Sequence, residues 1–138
     1  GTTITWEAWD QKFKPNQDWN HAWGAAPANL FPRFILGVQS FTPGWSRAVI
    51  RPFPGALQKA EGKVPTPRGA VNASWENGAT FRLTLELPAG VSAKLELPAA
   101  AASRAVFVDG KSVAARRVAD RWLVEADVTG RKTIEVRP

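Results

Sequence analysis

The chain has 138 residues and a formal net charge of +6, and 44% of its residues are hydrophobic while 22% are charged. This length supports one compact domain with an appendage, and the composition excludes an intrinsically disordered or fibrous chain. Cysteine is absent from the sequence, which excludes disulfides and thiolate metal sites, and no apolar run approaches the roughly 18 to 20 residues that span a bilayer.

The basic residues occur in small separated groups, for example Arg47 with Arg51 and Arg116 with Arg117. A nucleic-acid-binding surface concentrates such residues on one face or in one run. Scattered charge is typical of solvated strand faces, so we expect neither a nucleic-acid nor a membrane partner. The chain begins at Gly1 and contains no Met, and it opens without a leader segment. We interpret this beginning as a cut rather than a native start.

The first predicted element is an amphipathic helix over Trp19–Leu36. Its apolar residues recur at spacings of three and four, which is the helical period; they are Ala22, Trp23, Ala26, Leu30, Phe34 and Ile35. The segment also contains Pro27 and Pro32. Because an interior proline removes a backbone donor, we expect a kink, or two shorter helices that meet near Ala26. Asp18 is predicted as the N-cap and Gly37 as the residue just past the end.

From Arg47 onward the pattern changes to a period of two, with turn residues between short runs. In the clearest run, Phe81, Leu83 and Leu85 alternate with polar residues. The sequence predicts a mainly β fold, an antiparallel β-sandwich of about eight strands. The predicted strands are Arg47–Arg51, Leu57–Val64, Val71–Glu76, Thr80–Leu87, Val91–Leu97, Ala105–Val108, Arg121–Ala126 and Thr133–Arg137.

The third and fourth of these strands are predicted to form a hairpin through the two-residue turn Asn77-Gly78. Trp75 shares one face of its strand with Val71 and Ala73, so we expect its side chain in the core. The turn at Pro88–Gly90 then leads into the next strand. The three strands are therefore predicted to form a meander.

The amino-terminal segment is unusually rich in tryptophan. It contains Trp6, Trp9, Trp19 and Trp23, with Glu7, Asp10, Asp18, Asn20 and His21 among them. Indole faces beside carboxylates and amides suit a sugar, whose ring offers CH groups for stacking and hydroxyls for hydrogen bonds. The same aromatic side chains could instead anchor a helix in a core, and composition alone leaves both interpretations open.

Glu7 lies between two tryptophans, a setting that can desolvate the carboxylate and raise its pKa. Asp10 follows three residues later, on nearly the same face if this segment is helical. Glycoside hydrolysis uses carboxylates on opposite sides of the scissile bond, about 5–5.5 Å apart for retention and about 6.5–9.5 Å for inversion. Two groups on one helical turn cannot flank a substrate, so a catalytic Glu7 needs a partner from elsewhere. Asp10 is expected to be an N-cap or a surface charge.

His21 is the only histidine in the sequence. Without Cys or a second His the residue types favour no metal site, and we predict neither a metal nor a cofactor. The imidazole is equally suited to donating a hydrogen bond to a ligand hydroxyl and to being a satisfied buried side chain. No phosphate-binding loop or nucleophile elbow is present in the sequence.

Two segments together resemble glycoside hydrolase family 78, the bacterial α-L-rhamnosidases: Thr2–Asp10, with the sequence Trp-Glu-Ala-Trp at its centre, and Asn20–Ala25. The resemblance continues into the carboxyl-terminal β-sandwich of that family and covers roughly the first 100 residues. The matching positions there are Ile35–Val38, Pro43-Gly44, Ile50–Pro52, Leu57, Ala60–Pro67, Gly69 and Ser74-Trp75.

The resemblance implies the end of an (α/α)6 catalytic barrel at residues 1–40 and a sandwich at 41–138. Enzymes of this family invert the anomeric centre and use two distant glutamates. By resemblance, Glu7 is the general base, His21 contacts the bound rhamnose, and Trp6 and Trp9 shape the pocket. The general acid belongs to an upstream stretch, so we expect the partners to be an L-rhamnose-containing glycoside and the remainder of the barrel.

Two alternatives remain open at the level of sequence. The sandwich could be a free-standing carbohydrate-binding module, which requires exposed coplanar aromatic rings on one sheet, and only Trp45, Trp75 and Trp122 are available there. A nucleic-acid binder rests on net charge alone, and its affinity would depend steeply on salt.

Overall fold

The structure, a computed structural model, describes residues 5–18 and 21–138. The chain forms two compact units, residues 1–31 and residues 32–138. No helix among the described residues is long and apolar enough to cross a membrane. The boundary at residues 40 and 41 stays a prediction.

The helical segment runs from Ala22 to Ile35 and changes type twice. A 3-10 turn at Ala22–Ala25 is followed by one α-helical stretch, α1 (Ala26–Leu30), and by a π-helical turn at Phe31–Ile35. Pro27 lies in the first turn of α1, where the missing N–H costs no hydrogen bond. The predicted change of helix near Ala26 is therefore confirmed, whereas the predicted first residues, 19 and 20, lie outside the described part of the chain.

The start of this segment differs from the prediction, because His21 and not Asp18 is the N-cap residue, and no side chain caps it. The carboxylate of Asp18 instead lies 3.2 Å from His21 Nδ1. At the other end the prediction of Gly37 is confirmed. Its φ is +85°, and a Cβ there would lie 2.2 Å from the nitrogen of Pro52, so only glycine fits this turn into the sandwich.

The second unit is a sandwich of two sheets. One has the order β1-β2-β6-β10-β9 with β11 also paired to β6, and the other has the order β3-β4-β5-β12-β7-β8. The strands are β1 (Val38–Ser40), β2 (Arg47–Ile50), β3 (Lys59–Val64), β4 (Val71–Asn77), β5 (Phe81–Glu86), β6 (Ser92–Pro98), β7 (Ala105–Val108), β8 (Lys111–Val113), β9 (Ala115–Val118), β10 (Arg121–Val124), β11 (Val128–Thr129) and β12 (Arg131–Arg137).

Alternation along the strands builds the core between the sheets. In β5 the residues Phe81, Leu83 and Leu85 are buried, while Arg82 and Glu86 are exposed. All eight predicted strands are present, and the mainly β sandwich is confirmed. The remaining four, β1, β8, β9 and β11, have two to four residues each and were not predicted from the sequence.

Two details of the predicted connections are wrong. The β4–β5 hairpin pairs Asn77 with Phe81, so its loop contains three residues rather than two. The predicted meander does not form, because after the turn that contains Gly90 (φ +75°) β6 joins the other sheet and pairs in parallel with β2. The inner face of β6 still fills the core, and the same alternation therefore predicted its burial correctly.

Candidate functional site

The motif Trp6–Trp9 belongs to the first unit, in a segment that two turns fold back on itself. The N–H of Phe13 donates to Asp10 O, and the N–H of Gln17 donates to Lys14 O. Thr5 fixes the start of the motif beside the 3-10 turn, because both its N–H and its hydroxyl donate to Gly24 O, at 3.3 and 2.7 Å. These reversals bring residues 14 to 18 next to the motif.

Gln17 contacts the motif through its side-chain amide. Its side-chain oxygen accepts the N–H of Ala8 at 3.3 Å, and only 9% of the residue is exposed. Its Nε2 is buried and has no hydrogen-bond partner among the described residues. An amide donor is costly to bury unpaired. The described residues therefore do not satisfy every buried polar atom of the site.

The Glu7 carboxylate is the centre of the site, with only 2% of its side chain exposed. Lys14 Nζ lies 2.9 Å from Oε1, and the N–H of Asp18 donates to Oε2 at 2.8 Å. His21 Nδ1 lies 3.5 Å from Oε1. Both oxygens are therefore held, and the charge of the carboxylate is matched by an ammonium group.

These contacts lower the pKa of Glu7 below its ordinary value of 4.5. The largest cause is the hydrogen bond from Lys14, and the next is the N–H of Asp18; burial acts in the opposite direction. The expectation that flanking tryptophans raise this pKa is wrong, because Trp6 is 54% and Trp9 is 97% exposed. The described contacts of the carboxylate are with polar groups, Lys14, the N–H of Asp18 and His21, so the donors outweigh burial.

His21 lies beside Glu7, so the structure brings these two sequence-predicted residues together. Its Nδ1 faces the carboxylates of both Glu7 and Asp18. Its ring centroid lies 3.9 Å from that of Trp23, with the planes tilted by 47°. Asn20, the other residue of the Asn-His pair, lies outside the described residues.

Trp6 and Trp9 line a cleft together with Glu7. The cleft has a volume of about 520 Å³ and is lined by Thr5, Trp6, Glu7, Ala8 and Trp9. A space of this size suits a monosaccharide, and indole faces suit its CH groups. Asp10 has a local role, because its Oδ1 accepts the N–H of Lys12 at 2.9 Å. This agrees with the expectation that Asp10 is a surface charge.

Glu7, Asp18 and His21 also form a group of metal-ligand type, with one atom of each within 4.8 Å of the others. Lys14 already supplies a positive charge 2.9 Å from Glu7. The donor set therefore fits an ammonium-paired carboxylate better than a cation site.

Sequence reasoning missed Lys14 and Gln17 and gave Asp18 the wrong role. The available signal was the pair Pro15-Asn16, which marks a turn between Glu7 and Asp18. A chain reversal there is what allows residues 14, 17 and 18 to contact residues 7 and 8.

The first unit has no apolar core of its own within the described residues. None of its hydrophobic side chains there is buried, and six large ones are exposed: Trp6, Trp9, Phe13, Trp23, Leu30 and Phe31. The sandwich, in contrast, buries a contiguous cluster from Leu36 to Val136. Thus the apolar face predicted for the helical segment exists but is left uncovered in the first unit.

Comparison with known proteins gives a family match over the sandwich. Residues 37–112 match the family model described as bacterial alpha-L-rhamnosidase C-terminal domain. A curated protein of Alteromonas sp. (strain LOR), named alpha-L-rhamnosidase, is 33% identical over 108 residues, covering 72% of this chain and 12% of that protein. The chain thus spans a small part of that relative.

Solved structures give the same fold. An alpha-L-rhamnosidase from Dictyoglumus thermophilum has a TM-score of 0.82 at 20% identity, covering 96% of this chain and 16% of that one. A Streptomyces avermitilis alpha-L-rhamnosidase complexed with L-rhamnose has a TM-score of 0.77 at 23% identity, covering 96% of this chain and 14% of that one. An Aspergillus terreus enzyme of the same name has a TM-score of 0.66 at 27% identity, again covering 96% of this chain and 14% of that one.

Proposed function

Because this chain belongs to the bacterial alpha-L-rhamnosidase C-terminal domain family, we propose that it is part of an inverting α-L-rhamnosidase and supplies the general base, Glu7. The enzyme removes terminal α-L-rhamnose from glycosides. The observation that carries this proposal is the covered, ammonium-paired carboxylate of Glu7 in a cleft with two indoles.

The state of Glu7 suits a base. A general base must be unprotonated before it can accept a proton. With its pKa below 4.5 this carboxylate is ionised at neutral pH, as a glutamate of ordinary pKa also is, so the support for the role comes from the position of Glu7 in the cleft. It takes a proton from a water molecule while the water oxygen attacks the anomeric carbon, and the bond to the leaving-group oxygen breaks as that oxygen receives a proton from the general acid. The attack from the face opposite the leaving group inverts the configuration.

The general acid comes from another part of the longer enzyme. Inversion requires the acid and the base about 6.5–9.5 Å apart on opposite sides of the sugar. The carboxylate of Asp18 has an oxygen within 4.8 Å of one of Glu7, which is closer than inversion requires, and it faces His21. A chain with the base alone is therefore inactive.

His21, Trp6 and Trp9 contact the sugar in this proposal. His21 lies against the base, where its other ring nitrogen can meet a rhamnose hydroxyl. The two indoles line the cleft and offer apolar faces to the ring.

The helical part, which the sequence placed at residues 1–40, completes an (α/α)6 barrel, and the sandwich, whose first strand β1 begins at Val38, is the accessory domain. The exposed large apolar residues of the first unit support the assignment of the helical part to a barrel. Apolar side chains of this size are rarely left exposed together unless another surface covers them. The partner that covers them is the rest of the barrel.

The sandwich braces the barrel, and a carbohydrate-binding role for it has less support. Such a role needs exposed coplanar aromatic rings. Trp75 is buried in the core, while Trp45 and Trp122 pack against that core. Calorimetric titration of residues 32–138, which contain the whole sandwich, with rhamnosides separates the two roles, because binding with measurable heat would favour the binding module.

The stereochemistry of the reaction tests the proposed function. The longer enzyme that carries this chain is mixed with an aryl α-L-rhamnoside, and the first-formed sugar is observed by proton NMR. The β-anomer should appear first and then mutarotate. Initial release of the α-anomer, or no release of rhamnose, would contradict the proposal.

A further inference from the structure

We propose that Lys14 is a positioning residue for Glu7, whose ammonium group holds one carboxylate oxygen and fixes the orientation of the carboxylate in the cleft. This inference rests on the proposed function, in which Glu7 is the general base.

The contacts of the carboxylate show how it is oriented. Oε1 lies 2.9 Å from Lys14 Nζ, and Oε2 accepts the N–H of Asp18 at 2.8 Å. A carboxylate that is held at both oxygens cannot rotate without breaking one contact. Each oxygen retains a second lone-pair direction, because a carboxylate accepts about four hydrogen bonds in all. The base can thus be held in place and still accept a proton from water.

Among the charged groups that face Glu7, Lys14 is the one whose effect is unambiguous. The N–H of Asp18 is neutral, and the carboxylate of Asp18 faces His21 at 3.2 Å. His21 lies farther from Glu7 than Lys14 does, 3.5 Å against 2.9 Å. Consistent with this, Lys14 is the largest cause of the lowered pKa of Glu7.

Backbone turns place Lys14 at this point. Lys14 O accepts the N–H of Gln17 at 3.2 Å, and Gln17 in turn holds Ala8. One short turn therefore carries the ammonium, the support for the motif and the N–H that binds Oε2. The turn that carries Lys14 thus contacts the motif at three places, which fixes the ammonium relative to the carboxylate.

The effect of Lys14 on pH dependence has a definite sign. The base works only when unprotonated, so activity falls as the pH drops through the pKa of Glu7. Removing the ammonium raises that pKa, and the acid limb of the pH profile moves to higher pH. Rhamnose binding changes little, because Lys14 contacts Glu7 but is not itself among the residues that line the cleft.

Three variants test this. Lys14→Met removes the charge while keeping the length, Lys14→Arg keeps the charge, and Lys12→Met is the matched control. Lys12 is two residues away, with its ammonium 4.9 Å from the centre of the Phe13 ring, and no described contact joins it to Glu7. Carboxyl carbon-13 NMR of the 138-residue chain follows the titration of Glu7, which is assigned with Glu7→Gln.

The expected result is a raised pKa of Glu7 in Lys14→Met and wild-type titration in Lys12→Met, with Lys14→Arg close to wild type. In the longer enzyme, Lys14→Met should move the acid limb of kcat/KM to higher pH and lower kcat by about tenfold, a fraction of the roughly 10²–10⁴ that general base catalysis supplies. KM should stay near the wild-type value.

An unchanged Glu7 titration in Lys14→Met, with the amide resonances of residues 5–18 otherwise as in the wild type, overturns the inference. So does an equal shift in Lys12→Met, because the effect would then be one of net charge. If the titration shifts as expected but Glu7→Gln leaves the enzyme fully active, Lys14 still orients Glu7 and the proposed function fails instead.

Discussion

Trp75 on β4 donates its indole N–H to the carbonyl oxygen of Ile35 at 3.0 Å, across 40 positions of sequence. The indole is 1% exposed, so the bond ties Ile35 to the centre of the sandwich core. Ile35 itself packs against that core.

Replacing Trp75 with Phe should therefore destabilise the sandwich. The variant loses the donor, leaves Ile35 O unpaired and creates a small void. The unpaired oxygen costs about 1–3 kcal/mol of unfolding free energy, and the void adds to this cost. Urea denaturation measures the change. Trp9→Phe is the control, because Trp9 is 97% exposed and should change the free energy by less than about 0.5 kcal/mol. Equal effects of the two substitutions would contradict the assignment.

Gly37→Ala should be one of the most damaging single substitutions in the sandwich. Its positive φ costs about 1–2 kcal/mol for any residue with a Cβ, and that atom would lie 2.2 Å from Pro52 N. Gly44→Ala provides the comparison. Gly44 has a φ of +71°, but a Cβ there would have no atom within 4 Å, so it reports the backbone strain alone. Thermal unfolding should separate the two, and identical melting temperatures would mean that the contact with Pro52 relaxes freely.

Glu96 should contribute to the acid sensitivity of the sandwich. Burial acts to raise its pKa, but hydrogen bonds from Lys94 and Arg51 outweigh burial, so the pKa of Glu96 lies below its ordinary 4.5. A carboxyl group with a lowered pKa in the folded state stabilises the fold above its unfolded pKa, and this contribution disappears as the pH falls through the folded value. The free energy of unfolding should therefore decline below about pH 4.5.

Glu96→Gln should weaken that decline, because the amide does not titrate. The measurement is the free energy of unfolding by urea at a series of pH values for both proteins. Parallel curves for the wild type and Glu96→Gln would show that Glu96 has no part in the acid sensitivity.

The strands with clear alternation could be predicted from sequence, and the way they pair could not. Buried residues of β4 and β5 alternate with half-buried or exposed ones, which reveals both the strand and its buried face. The parallel pairing of β2 with β6 joins Arg47 to Ser92 and depends on contacts between distant segments. Local pattern carries no information about such a pairing, and this is why the predicted meander failed.

The site was predictable in part for a similar reason. Glu7, His21 and the tryptophans were visible through residue type and family resemblance. Lys14 and Gln17 have no unusual composition around them, and they matter because the chain reverses between Asp10 and Gln17. The pKa of Glu7 is lowered chiefly by the contact with Lys14, which the sequence did not reveal. The prediction of a raised pKa, made from Trp6 and Trp9 alone, was therefore wrong.

The isolated 138-residue chain should not hydrolyse an aryl α-L-rhamnoside, because it contributes the base without an acid on the opposite side of the sugar. Release of the chromogenic phenol is compared between the wild-type chain and Glu7→Gln. A wild-type rate well above that of the variant would show that the chain holds a complete catalytic pair.

The most direct test of Glu7 as the general base is the kcat/KM of Glu7→Gln in the longer enzyme, measured with and without sodium azide and compared with Asp10→Asn. We predict a loss of about 10²–10⁴-fold for Glu7→Gln and little change for Asp10→Asn. Azide, which needs no base to attack, should restore turnover and yield β-L-rhamnosyl azide. A Glu7→Gln enzyme within about threefold of the wild-type rate would contradict this role, since base catalysis is worth far more than that.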